Sequence, residues 1–200
     1  MVSTLKKIEF VFIFLLLPTV IFYLDSVIIA FSILYLIFCV SGILLYFDKN
    51  FKFFLLKKKT DWRFIFKISI VFIILGFFYT ILLDKNLLFS FPKSNVYLWL
   101  TVIFVYPFLS VIPQEMIYRV LFFHRYCQNS NNLFLPLVIN LMVFSYAHLI
   151  FHNIHALFIT AFASPIFAYA YLKKSFFTCI ILHSLGGQII FTIGLGKFFF

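Results

Sequence analysis

Residues Val27–Phe47 read VIIAFSILYLIFCVSGILLYF, a run of 21 residues without a charged side chain. A helix rises 1.5 Å per residue, so about 20 apolar residues cross the roughly 30 Å hydrocarbon core of a bilayer. An apolar run of this length is typical of a transmembrane helix. The stretch therefore predicts that the chain lies in a membrane.

The composition of the whole chain agrees with this prediction. Of 200 residues, 64% are hydrophobic and 11% are charged, the mean hydropathy is +1.12, and 33 residues are Phe. Soluble domains contain about 45–50% apolar and about 25% charged residues. Since no linker, low-complexity tract or repeat divides the chain, we expect one polytopic membrane unit.

Six further apolar runs of near-membrane length flank the first one. They predict an all-α, polytopic transmembrane helical bundle of about seven to eight helices. The predicted spans are Ile8–Leu24, Val27–Phe47, Phe64–Leu83, Val96–Val111 (continuing as a helix to about Arg125), Leu133–Phe151, Ile154–Leu172 and Phe176–Leu195.

The positions of the basic residues predict an orientation. With the N-terminus in the cytoplasm, twelve of the sixteen Lys and Arg fall in cytoplasmic segments, three lie on the opposite side, and Arg119 lies inside the membrane. This asymmetry follows the positive-inside rule. It accounts for the net charge of +10, so we expect no nucleic-acid partner. We therefore predict a multi-pass integral protein of a plasma or inner membrane, in contact with lipid, with a cytoplasmic N-terminus.

Polar residues inside the spans are concentrated in the second half of the chain. Residues 1–95 are predicted to be N-terminal transmembrane helices without catalytic motifs, and residues 96–200 to carry the chemistry. The stretch Pro113-Gln114-Glu115-Met116-Ile117-Tyr118-Arg119 places two charges in an apolar segment. Pro113 fits the first turn of a helix, which would place Glu115 near a helix N-terminus. Glu115 and Arg119 are four residues apart, so they share a helix face and can pair.

Two further patterns accompany this pair. Asn140, Phe144 and His148 recur every four residues and form one stripe on a helix. His183 is followed four residues later by Gly187, where another backbone or a peptide can approach closely. Each feature alone also has a structural interpretation, as an ion pair or a hydrogen-bonded histidine between helices. For the span-end residues His124, His152 and His155, the structural role is favoured.

Taken in order, these residues resemble the three motifs of the CPBP family of intramembrane proteases, which includes CAAX prenyl endopeptidases and bacteriocin-associated Abi proteins. The family pattern is Glu-Glu-x-x-x-Arg, Phe-x-x-x-His and His-x-x-x-Asn or Asp. The resemblance covers about Val96 to Gly196. It implies a membrane endopeptidase in which the first motif's leading Glu and the second motif's His activate water. The third motif's His and Asn would stabilise the oxyanion.

Two positions depart from the family pattern, since Gln114 replaces the leading Glu and Gly187 replaces Asn or Asp. One resolution makes Glu115 the base beside His148, while Gln114 orients the water or joins His183 as an oxyanion donor. A second has Glu115, His148 and His183 bind a metal such as zinc, although no cofactor is firmly implied. In a third, catalysis is lost.

The first resolution predicts a glutamate-type intramembrane endopeptidase whose partner is a membrane-associated protein or peptide substrate. Its site would contain Glu115, His148, His183, Gln114 and Arg119. Prenylated substrates follow only from the family analogy. The alternative is a catalytically inactive membrane protein that serves in peptide binding, immunity or transport.

Overall fold

The computed structural model describes residues 4–127 and 132–199, and the regular structure within these ranges is helical, without strands. Seven helices there are long and apolar enough to cross a membrane. The predicted all-α transmembrane fold is therefore confirmed. The helices are α1 (Thr4–Leu24), α2 (Val27–Phe47), α3 (Trp62–Asp84), α4 (Val96–Tyr126), α5 (Phe134–Phe151), α6 (Ile154–Lys174) and α7 (Phe176–Ile193).

Shorter helical segments connect or end these helices. The last residues of α5, His148–Phe151, form a 3-10 turn, and a short helix, Ser90–Ser94, precedes α4. Further 3-10 turns cover Phe53–Lys57, Lys85–Leu87 and Leu195–Phe199.

Polar residues just ahead of the apolar runs set where four of the helices begin. Each capping side chain accepts a hydrogen bond from a backbone N–H of the first turn, which has no partner within the helix. In α3, Phe64 N–H donates to Asp61 at 2.9 Å, and in α7 Thr178 N–H donates to Ser175 at 3.0 Å. Ser26 and Asn95 cap α2 and α4 in the same way.

Helix α4 departs from regular α-helical geometry twice. Its α-helical segment Val96–Tyr106 is followed by a π-helical turn, Pro107–Val111, and a second π-helical segment covers Met116–Leu121. The prediction that Pro113 opens a helix is wrong, because Pro113 lies inside α4. A proline lacks the N–H that regular helix bonding requires, and its ring clashes with the carbonyl four residues earlier. The wider π turn directly before Pro113 changes that bonding pattern.

The chain folds into two compact units, each built from two stretches of sequence. The first contains Met1–Phe53 and Pro113–Tyr169, and the second contains Phe54–Ile112 and Ala170–Phe200. The predicted division at residue 95 separates motif-free from motif-bearing sequence, and it stays a prediction.

In the first unit, α1 packs against the part of α4 that carries the first motif. The Phe14 ring is fully buried, with its centroid 5.4 Å from the Tyr118 ring and 5.7 Å from the Phe122 ring, both edge-on. Such aromatic pairs stabilise packing beyond the burial of their area. An N-terminal helix without a motif therefore supports the motif helix directly.

In the second unit, α7 packs against α3 and the first part of α4. Cys179 and Leu182 of α7 are completely buried. The helix ends at Gly194, whose φ of +104° favours glycine, and a Cβ there would overlap the Leu87 carbonyl. These contacts keep the residues of α7 in a defined register beside α4.

Large apolar side chains remain on the outside of the helices. On α2, for example, Ile28, Leu36 and Ile43 are exposed. Contiguous apolar surface on this scale is unfavourable in water, whereas lipid tails cover it without cost. The protein is thus an integral, multi-pass membrane protein.

Candidate active site

Glu115 and Arg119 form the ion pair that their spacing predicts. Arg119 Nε lies 3.4 Å from Glu115 Oε2, and both side chains are fully buried. Close N⁺–H···O⁻ bonds are shorter, at about 2.7–2.9 Å. The pair lies where α4 changes to π-helical geometry, so its two members are not held as in a regular helix. Glu115 is therefore a buried carboxylate with a loosely held counter-charge.

The guanidinium of Arg119 has closer partners on α5. Arg119 Nη1 donates to Asn140 Oδ1 at 2.8 Å. Asn140 Nδ2 in turn donates to the backbone carbonyl of Tyr118 at 2.6 Å. The guanidinium carbon also lies 4.5 Å from the centroid of the Phe144 ring, within cation–π distance. Arg119 thus connects the helix of the first motif to the helix of the second.

Asn140 was not among the predicted site residues, although the sequence places it on the stripe with Phe144 and His148. All three side chains of this stripe are buried. A polar residue two turns before the motif histidine, on the same helix face, was the signal that could have identified it.

His148 lies at the end of the α-helical part of α5, and its ring is oriented by the backbone. His148 Nδ1 is 2.8 Å from the carbonyl oxygen of Phe144, one turn earlier. Because a carbonyl can only accept, Nδ1 carries the hydrogen in this bond, and Nε2 is the basic nitrogen of the neutral ring. The Phe144 ring contacts both this imidazole, with the centroids 4.8 Å apart, and the Arg119 guanidinium. The first unit therefore contains the Glu115–Arg119 ion pair and, through Phe144, a histidine whose Nδ1 is bonded to the backbone.

Gln114 is half-buried on α4, directly before Glu115. Its amide cannot accept a proton from water as a carboxylate does. If a carboxylate of the first motif acts as a base in this chain, Glu115 is the one present.

His183 belongs to the second unit, where it is buried on α7. Its ring lies edge-on to Tyr106 of α4, with the centroids 6.2 Å apart and the planes at 74°. Tyr106 packs in the same manner against Phe191, at 5.3 Å. An aromatic residue that the sequence had not singled out therefore lies beside the third-motif histidine.

Tyr106 also explains the glycine at position 187. A Cβ on Gly187 would lie 2.5 Å from Cζ and 2.6 Å from Oη of Tyr106, closer than real side chains approach. No larger residue fits at this position unless the Tyr106 ring moves. The neighbouring Gln188 serves a structural role, since its Nε2 donates to the Ile103 carbonyl at 3.0 Å.

Two span-end histidines have structural partners, as expected. His124 Nε2 lies 3.1 Å from an Asp48 carboxylate oxygen, and His152 Nε2 lies 3.6 Å from Asp25. The backbone N–H of Asn50 and the nearby His124 lower the pKa of Asp48 against the opposing effect of burial.

No three His, Cys, Asp or Glu side chains within residues 4–127 and 132–199 are grouped so that they could hold a metal ion. The zinc alternative for Glu115, His148 and His183 stays a prediction. The roles of all five predicted site residues likewise remain to be tested.

A family model described as type II CAAX prenyl endopeptidase Rce1-like matches residues 95–186. The match begins directly before α4 and ends within α7, one residue before Gly187. Comparison with curated proteins found no match. Comparison with solved structures likewise found none.

Proposed function

We propose that this chain, through the matched residues 95–186, acts as a member of the CPBP family of membrane proteases that includes the CAAX prenyl endopeptidases, and that Glu115 is the base of its reaction. Membership of the family implies a protease of the CAAX type. The proposal adds the residues that perform the hydrolysis and the class of substrate. It describes an intramembrane endopeptidase that cleaves a membrane-associated protein or peptide.

The observation that carries the proposal is the fully buried carboxylate of Glu115. An ionised side chain within a membrane is costly, so such residues commonly mark functional sites. Its counter-charge, Arg119, lies at 3.4 Å and is itself hydrogen-bonded to Asn140. The guanidinium thus positions the carboxylate from ion-pair distance, while its Nη1 is held by Asn140.

His148 supports the same role from α5. Its Nδ1 bond to the Phe144 carbonyl directs the basic Nε2 lone pair away from the helix backbone. A carboxylate and a neutral imidazole are the two side chains most often used to remove a proton from water. General-base catalysis of this kind contributes about 10²–10⁴-fold to a rate.

In the proposed reaction, Glu115, assisted by His148, removes a proton from water, and the water oxygen forms a bond to the scissile carbonyl carbon. The resulting oxyanion receives a hydrogen bond from His183, with Gln114 as a further donor or as the residue that orients the water. The carbon–nitrogen bond then breaks, and the proton held by the base passes to the leaving amine. The products are a carboxylate and an amine.

The substrate is proposed to be a protein segment or peptide held at the membrane, and the wide apolar surface of the helices places the protein among lipids. The Lys and Arg distribution supports a cytoplasmic N-terminus in a plasma or inner membrane. A prenylated substrate remains a family analogy.

A second candidate function follows from the departures at Gln114 and Gly187. If no carboxylate replaces the one absent at position 114, the same polar residues would bind a peptide without cleaving it.

The experiment compares the native protein with Glu115→Gln at matched levels, in cells lacking the endogenous gene. New peptide termini in the membrane fraction are identified by mass spectrometry. We expect termini that appear only with the native protein, and they would identify the substrate.

Two further variants separate lost chemistry from lost folding. His148→Gln leaves no unpaired buried charge and should lower the rate by about 10²–10⁴-fold. His155→Gln, a half-buried histidine outside the motifs, should leave the termini unchanged. Identical profiles for the native protein and a folded Glu115→Gln would replace the protease with the peptide-binding function.

A further inference from the structure

We propose that Tyr106 is a further catalytic residue, whose hydroxyl donates a hydrogen bond to the oxyanion in place of the side chain absent at Gly187. This inference rests on the proposed function. It begins from a steric fact: Tyr106 Oη lies 2.6 Å from the point at which a Gly187 side chain would begin. The phenol end of Tyr106 therefore occupies the volume that a side chain from residue 187 would otherwise take.

Gly187, beside which the hydroxyl lies, is on the same helix as the predicted oxyanion donor His183. Gly187 is four residues after His183, so the two share a face of α7 and are about one turn apart. The Tyr106 ring spans this face, with its centroid 6.2 Å from the His183 ring. The structure thus places the Tyr106 hydroxyl beside a position on α7 one turn from His183, where residue 187 itself has no side-chain donor.

The position of Tyr106 is well defined. Its ring is held edge-on by His183 on one side and by Phe191, at 5.3 Å, on another. The close approach to Gly187 restricts it further. Tyr106 is also the last residue of the regular α-helical segment of α4, directly before the π turn Pro107–Val111. A donor that is fixed before the reaction does not have to reorganise when charge develops, which is the condition for efficient oxyanion stabilisation.

A phenol suits this role chemically. It donates one hydrogen bond while it stays neutral, and tyrosine is among the side chains that form oxyanion holes. Removing one such donor lowers kcat by about 10²–10³-fold. A purely structural Tyr106 would instead act through its ring, which packs against His183 and Phe191. Replacing the hydroxyl while keeping the ring separates these two roles.

The first test is Tyr106→Phe in isolated membranes, with the rate of appearance of the native protein's peptide termini as the readout. We expect the rate to fall by about 10²–10³-fold, with an unchanged melting temperature in detergent. Tyr97→Phe is the matched control, because Tyr97 lies on the same helix and is 82% exposed. It should cleave at the native rate.

The second test moves the donor from one helix to the other. Gly187→Asn alone should lower the rate of cleavage, because its Cβ would overlap the Tyr106 ring and displace it. Tyr106→Ala combined with Gly187→Asn removes that overlap and supplies an amide donor. The double variant should cleave at least about tenfold faster than Tyr106→Phe, given the size of a single donor's contribution.

The outcomes distinguish this inference from the proposed function. If Tyr106→Phe cleaves at the native rate while Glu115→Gln produces no termini, the role of Tyr106 is wrong and the protease stands. A double variant that folds but cleaves no faster than Tyr106→Phe also contradicts the donor role. If the native protein itself produces no termini, both proposals fail.

Discussion

Arg119 Nη1 lies 2.8 Å from Asn140 Oδ1, and this bond joins α4 to α5 within the first unit. Both side chains are fully buried. Since Asn140 also donates to the Tyr118 carbonyl, one amide satisfies both the guanidinium and the backbone of the motif helix. The first and second motifs therefore depend on a residue that belongs to neither.

Replacing Asn140 with Leu should destabilise the protein while keeping a similar side-chain volume. The variant leaves Arg119 without its closest acceptor and the Tyr118 carbonyl without the amide donor. A buried polar group that loses its partner costs about 1–3 kcal/mol. We expect a clear decrease in the melting temperature in detergent. Asn86→Ala, at an exposed position in a turn, is the control and should melt with the native protein. Equal melting of all three proteins would contradict the structural role of Asn140.

Arg119→Lys keeps the positive charge, but it should lower the stability of the protein. The guanidinium reaches Glu115 through Nε and Asn140 through Nη1, while its central carbon lies 4.5 Å from the centroid of the Phe144 ring. An ammonium is a point charge that cannot make these contacts together. We expect a loss of about 1–3 kcal/mol in the free energy of unfolding. The exposed Arg63→Lys should have little effect. A stable Arg119→Lys variant would show that charge alone is sufficient at this position.

Glu9→Gln should loosen α1 from the end of α4. The Glu9 carboxylate accepts from Arg125 at 2.5 Å (Nε) and 2.7 Å (Nη2), and also from the Tyr126 hydroxyl. The Glu9 and Arg125 side chains are only 20% and 18% exposed, so solvent screens the pair weakly. Bonds to charged groups of this kind contribute about 1.5–3 kcal/mol.

The measurement for Glu9→Gln is the melting temperature in detergent, compared with that of Asp25→Asn. The Asp25 carboxylate is 80% exposed and lies 3.6 Å from His152, so its ion pair should contribute little. If Asp25→Asn lowers the melting temperature as much as Glu9→Gln does, the bonds from Glu9 to Arg125 and Tyr126 are not a specific source of stability.

The stability of the second unit should depend on pH through Asp61. Lys174, whose Nζ lies 2.8 Å from the carboxylate, and then the backbone N–H of Phe64 hold the Asp61 pKa below its usual 3.8. A carboxyl whose pKa is lower in the folded state stabilises the fold above its unfolded pKa. That contribution is lost as the pH falls through the folded pKa.

Lys174→Gln removes the largest cause of this pKa shift. The decrease in melting temperature between about pH 6 and about pH 3 should therefore be smaller than in the native protein. Asp61→Asn should show the same change, while the Asn still caps α3. Lys52→Gln makes the same charge change at an exposed position and should keep the native pH dependence. If the melting temperature of Lys174→Gln falls in acid as much as that of the native protein, the pH dependence does not come from the Lys174–Asp61 ion pair.

Much of the membrane topology was predictable because it depends on local properties. The length of each apolar run set the seven helices, and the structure adds that Ser26, Asp61, Asn95 and Ser175 cap four of them. The periodicity of 3.6 residues was enough to predict the Glu115–Arg119 ion pair and the buried stripe ending at His148. The continuation of α4 to about Arg125 was predicted, but its π turns were not, and Pro113 was wrongly expected in the first turn of a helix.

The sequence by itself determined that this chain is an all-α membrane protein and which polar residues its spans contain, because hydrophobic length and spacing along a helix need no knowledge of packing. Only the tertiary structure decided which of those residues touch. Asn140 became a partner of Arg119, and Tyr106 filled the space beside Gly187, because these residues are distant in sequence and meet only when helices pack. Contacts of this kind depend on the rotation and register of each helix, which the apolar runs leave undetermined.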